Sequence, residues 1–425
     1  MAKATLEACE LATTALTNDF LDADFVRAQF PSLLQHPDLL FFDNGATTQK
    51  PQSVIETING FYRDKCANAG RAAYSWATQL SGKVEDSRAA VASLINANPN
   101  DIAFTNGATD SLNLVASSWG MNNLKDGDEI MLCLDDHASA TLPWFNVQAQ
   151  LRRFGIEVAI LPFDIHSSGT YDRKSLIEKL SSRTKIIVLS HIHHLYGMEM
   201  DLPELRQSIP GNISIGLDAS QSIGHTEVDV QKLGADFVSF SGHKMFAANG
   251  TGVLWVCPER REQMWPSRLG AKSAVHLSAD GLVVDRSSLS GLVECGTLNL
   301  PGILSYAPAV DFIESLGITN IEKHLSLLTH YLHGKLKRLS QIDFAPGLGS
   351  CNCTKGYGII SFKFAGFPSS DLAAYLDSEN IFVRTGDYCL GAGKKDDDYT
   401  RVSLHIYNTL EEIDHFVEVL KDAAG

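Results

Sequence analysis

The stretch Val238 to Gly252, VSFSGHKMFAANGTG, places Lys244 directly after Ser-Gly-His, at the end of an apolar run and ahead of a glycine-containing turn. A short apolar run bounded by turn residues reads as a buried strand. A lysine delivered at its end is positioned to form a Schiff base with a carbonyl compound. Upstream, Ile213 to Gln221, ISIGLDASQ, is a second such run, and it leads into Asp218. Taken singly, Asp218 would read as a helix cap and Lys244 as one surface lysine among many. Together they suggest pyridoxal phosphate, in which a lysine amine holds the aldehyde while an aspartate keeps the pyridine nitrogen protonated.

Working outward, strand-like runs alternate with helical patterns from about Asp38 to Asn299. The runs include DEIMLCL, KIIVLSH, ISIGLD, DFVSFSG and GVLWVCP, with helical segments such as Lys83 to Ala97 and Leu202 to Ser208 between strands. This alternation predicts an α/β fold with a mainly parallel sheet and helical crossovers. After Pro301 the pattern changes to a long helical stretch from Ile303 to Leu339, a hairpin-like GIISFKFAG, and mixed elements ending near Lys421. The expected division is a large domain over 38–300 and a smaller α+β domain built from 301–425 and completed by 1–37.

A chain of 425 residues with 44% hydrophobic content can bury a sizeable core. Its formal net charge of −15 argues against nucleic-acid or anionic-membrane partners, whose phosphates would repel it. Apolar stretches such as Lys185 to Ser190 are strand-sized, well short of the roughly 20 residues that a membrane helix requires. MAKATLEACELATTALTNDF, at the N-terminus, carries acidic residues and lacks both an apolar h-region and an Arg-rich face, so cytoplasmic residence is expected. The eight cysteines, at positions 9, 66, 133, 257, 295, 351, 353 and 389, have no CxxC spacing and fit neither a zinc site nor a disulfide framework. Cys133 and Cys257 lie in apolar runs and read as small core residues. Cys351 and Cys353 read as an exposed loop pair.

Further motifs accompany the lysine and the aspartate: FFDNGATTQKP (Phe41 to Pro51), FTNGATDSLNLVASSWG (Phe104 to Gly120), DDHASATLPW (Asp135 to Trp144), ECGTLN (Glu294 to Asn299), VRTGDYC (Val383 to Cys389) and RVSLHIYNT (Arg401 to Thr409). In this order, over nearly the whole chain, they resemble the class V, fold type I pyridoxal phosphate enzymes, and most closely the SufS/CsdA-type cysteine desulfurases and selenocysteine lyases. The resemblance implies a homodimer that converts L-cysteine to L-alanine and passes sulfur to an acceptor protein. Lys244 would hold the cofactor, Asp218 its ring nitrogen, and Gln221, Ser241 and His243 its phenolic oxygen and phosphate. Gly107, Ala108 and Thr109 would present amides to the phosphate ahead of a helix, a natural anion site. His137 would stack on the ring and relay protons. Thr297 joins the cofactor set. Arg401 would hold the substrate carboxylate as a bidentate fork, aided by Arg384, Asn44 and Ala46. Cys389, in a glycine-bounded loop beside Arg384, would take the substrate sulfur as a persulfide.

The chain departs from this family at three kinds of position. Ala108 stands where a second Thr is usual. His194, in SHIHHLYGM, stands where relatives have an Asn that touches cofactor and substrate carboxylate. Asp387 and Tyr388 replace histidines before the cysteine, making the loop acidic. The neighbouring His191 and His193 would share one side of a strand with His194 facing away, and no further Cys/His set completes a metal site. Within the same cofactor class, a C–S lyase or epimerase in which Cys389 receives no sulfur is the alternative. A binding protein retaining only the fold is opposed by the intact Lys244, Asp218 and Arg401.

Overall fold

The computed structural model describes residues 21–70, 72–166, 168–347, 355–386, 388–391 and 398–424. In chain order its strands are β1 (Leu40–Phe41), β2 (Ile102–Thr105), β3 (Glu129–Cys133), β4 (Ala159–Phe163), β5 (Thr184–Ser190), β6 (Ser214–Asp218), β7 (Phe237–Ser241), β8 (Gly252–Val256), β9 (Val275–Ser278), β10 (Gly281–Val284), β11 (Ile342–Phe344), β12 (Ile359–Phe364), β13 (Ile381–Phe382) and β14 (Thr400–Ser403). Among the described residues, the large sheet has seven strands in the order β2-β8-β7-β6-β5-β3-β4. Strands β3 to β7 run parallel, whereas β8 is antiparallel to both β7 and β2. The expected mainly parallel α/β sheet is therefore present.

Both faces of this sheet are buried, which explains why its strands read as continuous apolar runs. Successive side chains point to opposite faces, so each strand feeds two cores. Met131, Ile187, Leu189, Val238, Phe240, Val253 and Trp255 enter one core. Ile130, Leu132, Ile186, Val188, Phe237, Leu254 and Val256 enter the other. Burying each such side chain stabilises the fold by about 1.5–3 kcal/mol. The helix Ser75–Leu94 buries Leu80, Val84 and Val91 and packs against the helix Tyr306–Leu316. Arg88 on its inner face is tied by both guanidinium nitrogens to Glu294, at 2.7 and 3.1 Å.

The expected helix from Ile303 to Leu339 is three helices, Leu300–Leu304, Tyr306–Leu316 and Ile318–Leu336. Gly317, at φ 79°, ends the second by a left-handed turn that a side chain would resist. GIISFKFAG is one strand, β12, and its partners β11 and β14 come from elsewhere in the chain. These strands and the helices Ile318–Leu336, Ser369–Ser378 and Leu410–Ala424 surround a third core containing Leu328, Leu332, Phe362, Leu372 and Phe416. From the segment before residue 38, Val26, Phe30 and Leu33 pack into the core on the large sheet. Cys133 is buried as expected, whereas Cys257 is only half-buried at the start of a short helix; Cys9, Cys351 and Cys353 lie outside the described residues. No described helix is long and apolar enough to cross a membrane.

At the β2–β8 crossing, a Cβ added to Gly252 would lie 2.4 Å from the carbonyl carbon of Gly107. Gly252→Ala is therefore expected to destabilise the fold by about 1–3 kcal/mol, the usual cost of overpacking, and calorimetry should register a lower Tm.

His225, His324 and His405 are buried, with the His225 and His405 rings 4.3 Å apart and His405 4.8 Å from the Phe246 ring. Burial pushes His225 and His324 down to about 4 and His405 well below the usual histidine range, so all three are neutral when folded. Unfolded histidines protonate near 6.5. Between about pH 6.5 and 4 the unfolded chain therefore binds protons that the folded chain refuses, and stability falls as pH falls. Urea midpoints at pH 7 and pH 5 should show a clear loss, reduced in a His405→Phe variant.

Candidate active site

Five strand ends converge on one point. Strands β2, β3, β5, β6 and β7 lead at their carboxyl ends to Ala108, His137, His194, Asp218 and Lys244, the edge at which open α/β sheets bind ligands. A cavity of about 310 Å³ opens there, lined by these residues with Ala46, Thr109, Ser220, Gln221, Ser241, His243, Arg384, Tyr388, Cys389 and Arg401.

Lys244 closes a short 3₁₀ turn, Gly242–Lys244, directly after β7. The turn is held from the segment 47–50: the Thr48 amide, both threonine hydroxyls of Thr47 and Thr48, and the Lys50 ammonium all donate to the His243 carbonyl, at 3.0 to 3.2 Å. Lys244 keeps some exposure because it faces the cavity. Burial nevertheless pushes its amine down to about 8, against the pull of Asp218. A lysine so lowered is a competent base near neutral pH. Asp218 ends β6 and accepts the Ser220 amide at 3.0 Å.

The helix Ala108–Leu114 starts at the cavity wall after Gly107, and the Ala108 amide donates to the Ser241 hydroxyl at 2.9 Å. Gln221 donates to the Gly45 carbonyl at 2.9 Å and leaves its Oε1 buried without a partner. His243 likewise has a buried, unpartnered Nδ1, and burial lowers it to about 4. His137 caps the helix Ala138–Arg152, its Nδ1 accepting the Ser139 amide at 3.2 Å.

Arg401 is buried and donates to the His194 carbonyl at 3.0 Å and to Asp43 at 3.3 Å, leaving its Nε unpartnered. Arg384 approaches the other Asp43 oxygen at 3.8 Å. Burial raises the Asp43 carboxyl despite both arginines. Asp43 thus balances the charge of the two guanidinium groups, a role not anticipated from sequence.

His194 is buried, and its Nε2 lies 3.0 Å from the Tyr388 carbonyl. Burial and the adjacent His193 hold it well below the usual range, hence neutral. The expectation that His194 faces away from His193 does not hold, because β5 ends at Ser190 and the two rings stack at 4.9 Å. Among the described residues, no group of three or more His, Cys, Asp or Glu side chains is arranged to hold a metal ion. Cys389 is exposed at the cavity mouth with φ 55°; Asp387 lies outside the described residues.

Two expected site residues lie elsewhere. Asn44 is buried and outside the cavity lining, donating to the Ser403 carbonyl at 2.7 Å and accepting from Tyr407, so it braces the wall that Gly45 and Ala46 line. Thr297 faces a separate cleft, lined also by Thr105, Asn106 and Arg268.

Sheet order, strand polarity and a lysine on the turn after β7 define the fold type I architecture. A family model described as Aminotransferase class-V matches residues 40–416. A probable cysteine desulfurase of Vibrio cholerae serotype O1 is 34% identical over 414 residues, covering 95% of this chain and 98% of that protein. A cysteine desulfurase of Escherichia coli O8 is 31% identical, covering 94% and 97%. Among solved structures, the apo cysteine desulfurase of Thermococcus onnurineus NA1 superposes with a TM-score of 0.85 at 29% identity, covering 94% of this chain and 97% of that one. The cysteine desulfurase CsdA of Escherichia coli gives 0.82 at 27%, covering 95% and 98%. The chain belongs to the class-V aminotransferase family.

Proposed function

We propose that the protein is a pyridoxal-phosphate-dependent cysteine desulfurase that converts L-cysteine to L-alanine and carries the sulfur as a persulfide on Cys389. The observation that carries this reading is the meeting of Lys244, Asp218, His137, Arg401 and Cys389 at one cavity. The cofactor suits the residues present, since the buried, unpartnered Gln221 Oε1 and His243 Nδ1 offer it polar contacts. Asp218 would hold its ring nitrogen, and Ala108, Thr109, Ser241 and His243 its phosphate. When bound, pyridoxal phosphate supplies an electron sink for charge developing at the substrate α-carbon.

The chain's own residues do the rest. Arg401 binds the substrate carboxylate, with Arg384 adding positive charge at the mouth. Lys244 moves the proton at the α-carbon, and His137 shields the site beside it. The Cys389 thiolate attacks the substrate sulfur; the carbon–sulfur bond breaks with its electron pair passing to carbon, which takes up a proton and leaves as alanine. One sulfur atom remains on Cys389, from which an acceptor protein collects it.

We place the enzyme in the cytoplasm as a homodimer. The exposed apolar side chains Leu277, Leu282 and Val283 of the β9–β10 hairpin support a second copy as partner, and Thr297 would reach a cofactor site only from such a copy. Sedimentation of the holoprotein should give a dimer.

Incubating holoenzyme with L-cysteine and a reductant should yield alanine and sulfide in equal amounts. Pyruvate in place of alanine would point to a C–S lyase. Arg401→Lys should raise KM by roughly tenfold or more, because an ammonium cannot reproduce the guanidinium fork.

A further inference from the structure

The segment that carries Cys389 is pinned to the cavity by a set of contacts, and one of them comes from a side chain that the mechanism above does not use. His194 Nε2 lies 3.0 Å from the Tyr388 carbonyl, one residue before the thiol. A carbonyl only accepts, so Nε2 carries the ring proton and donates. The backbone of His194 is engaged as well, its carbonyl accepting from Arg401 at 3.0 Å. One residue thus bridges the carboxylate-binding guanidinium and the thiol-bearing segment.

Further contacts on that segment include the Arg401 guanidinium, 5.6 Å from the Tyr388 ring centre. The Tyr388 hydroxyl sits between the carbonyls of Arg384 and Tyr399, at 2.8 and 2.6 Å. Beyond the thiol, the Ala138 amide donates to the Cys389 carbonyl at 2.6 Å, and Leu390 forms an isolated bridge with His137. Cys389 itself adopts φ 55°, a left-handed conformation that a non-glycine residue keeps only when its surroundings enforce it. The His194 ring is fixed between the stacked His193, at 4.9 Å, and the edge of His137, at 5.5 Å, so its donor has a set direction.

We propose that His194 is a positioning residue that docks the Cys389 segment against the active-site wall through its Nε2–H···O=C hydrogen bond to Tyr388. This rests on the reading of Cys389 as the sulfur-accepting thiol. In this account the imidazole acts at a distance from the substrate carboxylate, and it sets where the nucleophile sits.

The Ala138 amide is the natural reporter. As the first residue of its helix it has no intrahelical acceptor, and the Cys389 carbonyl supplies one. Hydrogen exchange of the Ala138 amide is measured in the holoprotein without turnover, with the Leu217 amide of β6 as control for global stability. In His194→Leu, Ala138 should exchange on the order of tenfold faster while Leu217 is unchanged. In His194→Gln, whose amide nitrogen reaches the position of Nε2, exchange should stay at the wild-type rate. His194→Asn, too short to reach Tyr388, serves as a second loss variant should the leucine chain fold poorly. Unchanged exchange in the loss variants would overturn the proposal, as would equal acceleration in His194→Gln. Because no product is measured, the result is independent of whether the desulfurase reading holds.

Discussion

Replacing Cys389 with serine should lower alanine formation from L-cysteine on the order of 10³-fold, while the purified protein keeps its cofactor absorbance. The hydroxyl occupies nearly the same space as the thiol but cannot accept sulfur, and Cys389 is exposed at the cavity mouth. The residues proposed to hold the cofactor, among them Lys244, Asp218 and Ser241, are left in place. The substitution therefore separates the sulfur-transfer step from everything that precedes it. A lyase of the same fold would keep most of its turnover, because elimination from the β-carbon needs no protein thiol.

Lys244→Ala should remove both the yellow chromophore of the resting protein and turnover, the latter by roughly 10²–10⁴-fold from the lost proton transfer alone. Burial has lowered its amine to about 8, and among the described residues no other lysine lines the cavity. The lysine Lys50, also lowered, to about 7, is spent on the carbonyls of Thr48 and His243 behind the turn. It holds the turn and cannot substitute. Free primary amines added to the Lys244→Ala protein should restore part of the rate, whereas they should not rescue Cys389→Ser.

Much of this arrangement was legible in the chain, and the parts that were not have physical reasons. Strands β5 to β8 were readable because burial on both faces leaves uninterrupted apolar runs. Strand β4 was not singled out, since its residues are partly exposed at the sheet edge and its pattern is weaker. The helix break at Gly317 was missed because apolar spacing continues across the glycine; only its positive φ reveals the turn. Within the site, Lys244, Asp218, His137, Arg401 and Cys389 were found from motif order, and the structure brings them to one cavity. Asn44 and Thr297 came from the same motifs, yet a motif does not say which side of the wall a residue faces. Asp43 follows a two-residue strand too short for any periodicity. The donors from 47–50 act on a backbone carbonyl, which has no sequence signature at all.

The most direct test of the central claim is the mass of the Cys389 peptide after a single turnover with L-cysteine in the absence of reductant, with alanine counted in the same sample. The account predicts a gain of one sulfur atom on Cys389 for each alanine released. An unmodified Cys389 alongside pyruvate, or alanine formed with the sulfur found on another residue, would contradict it.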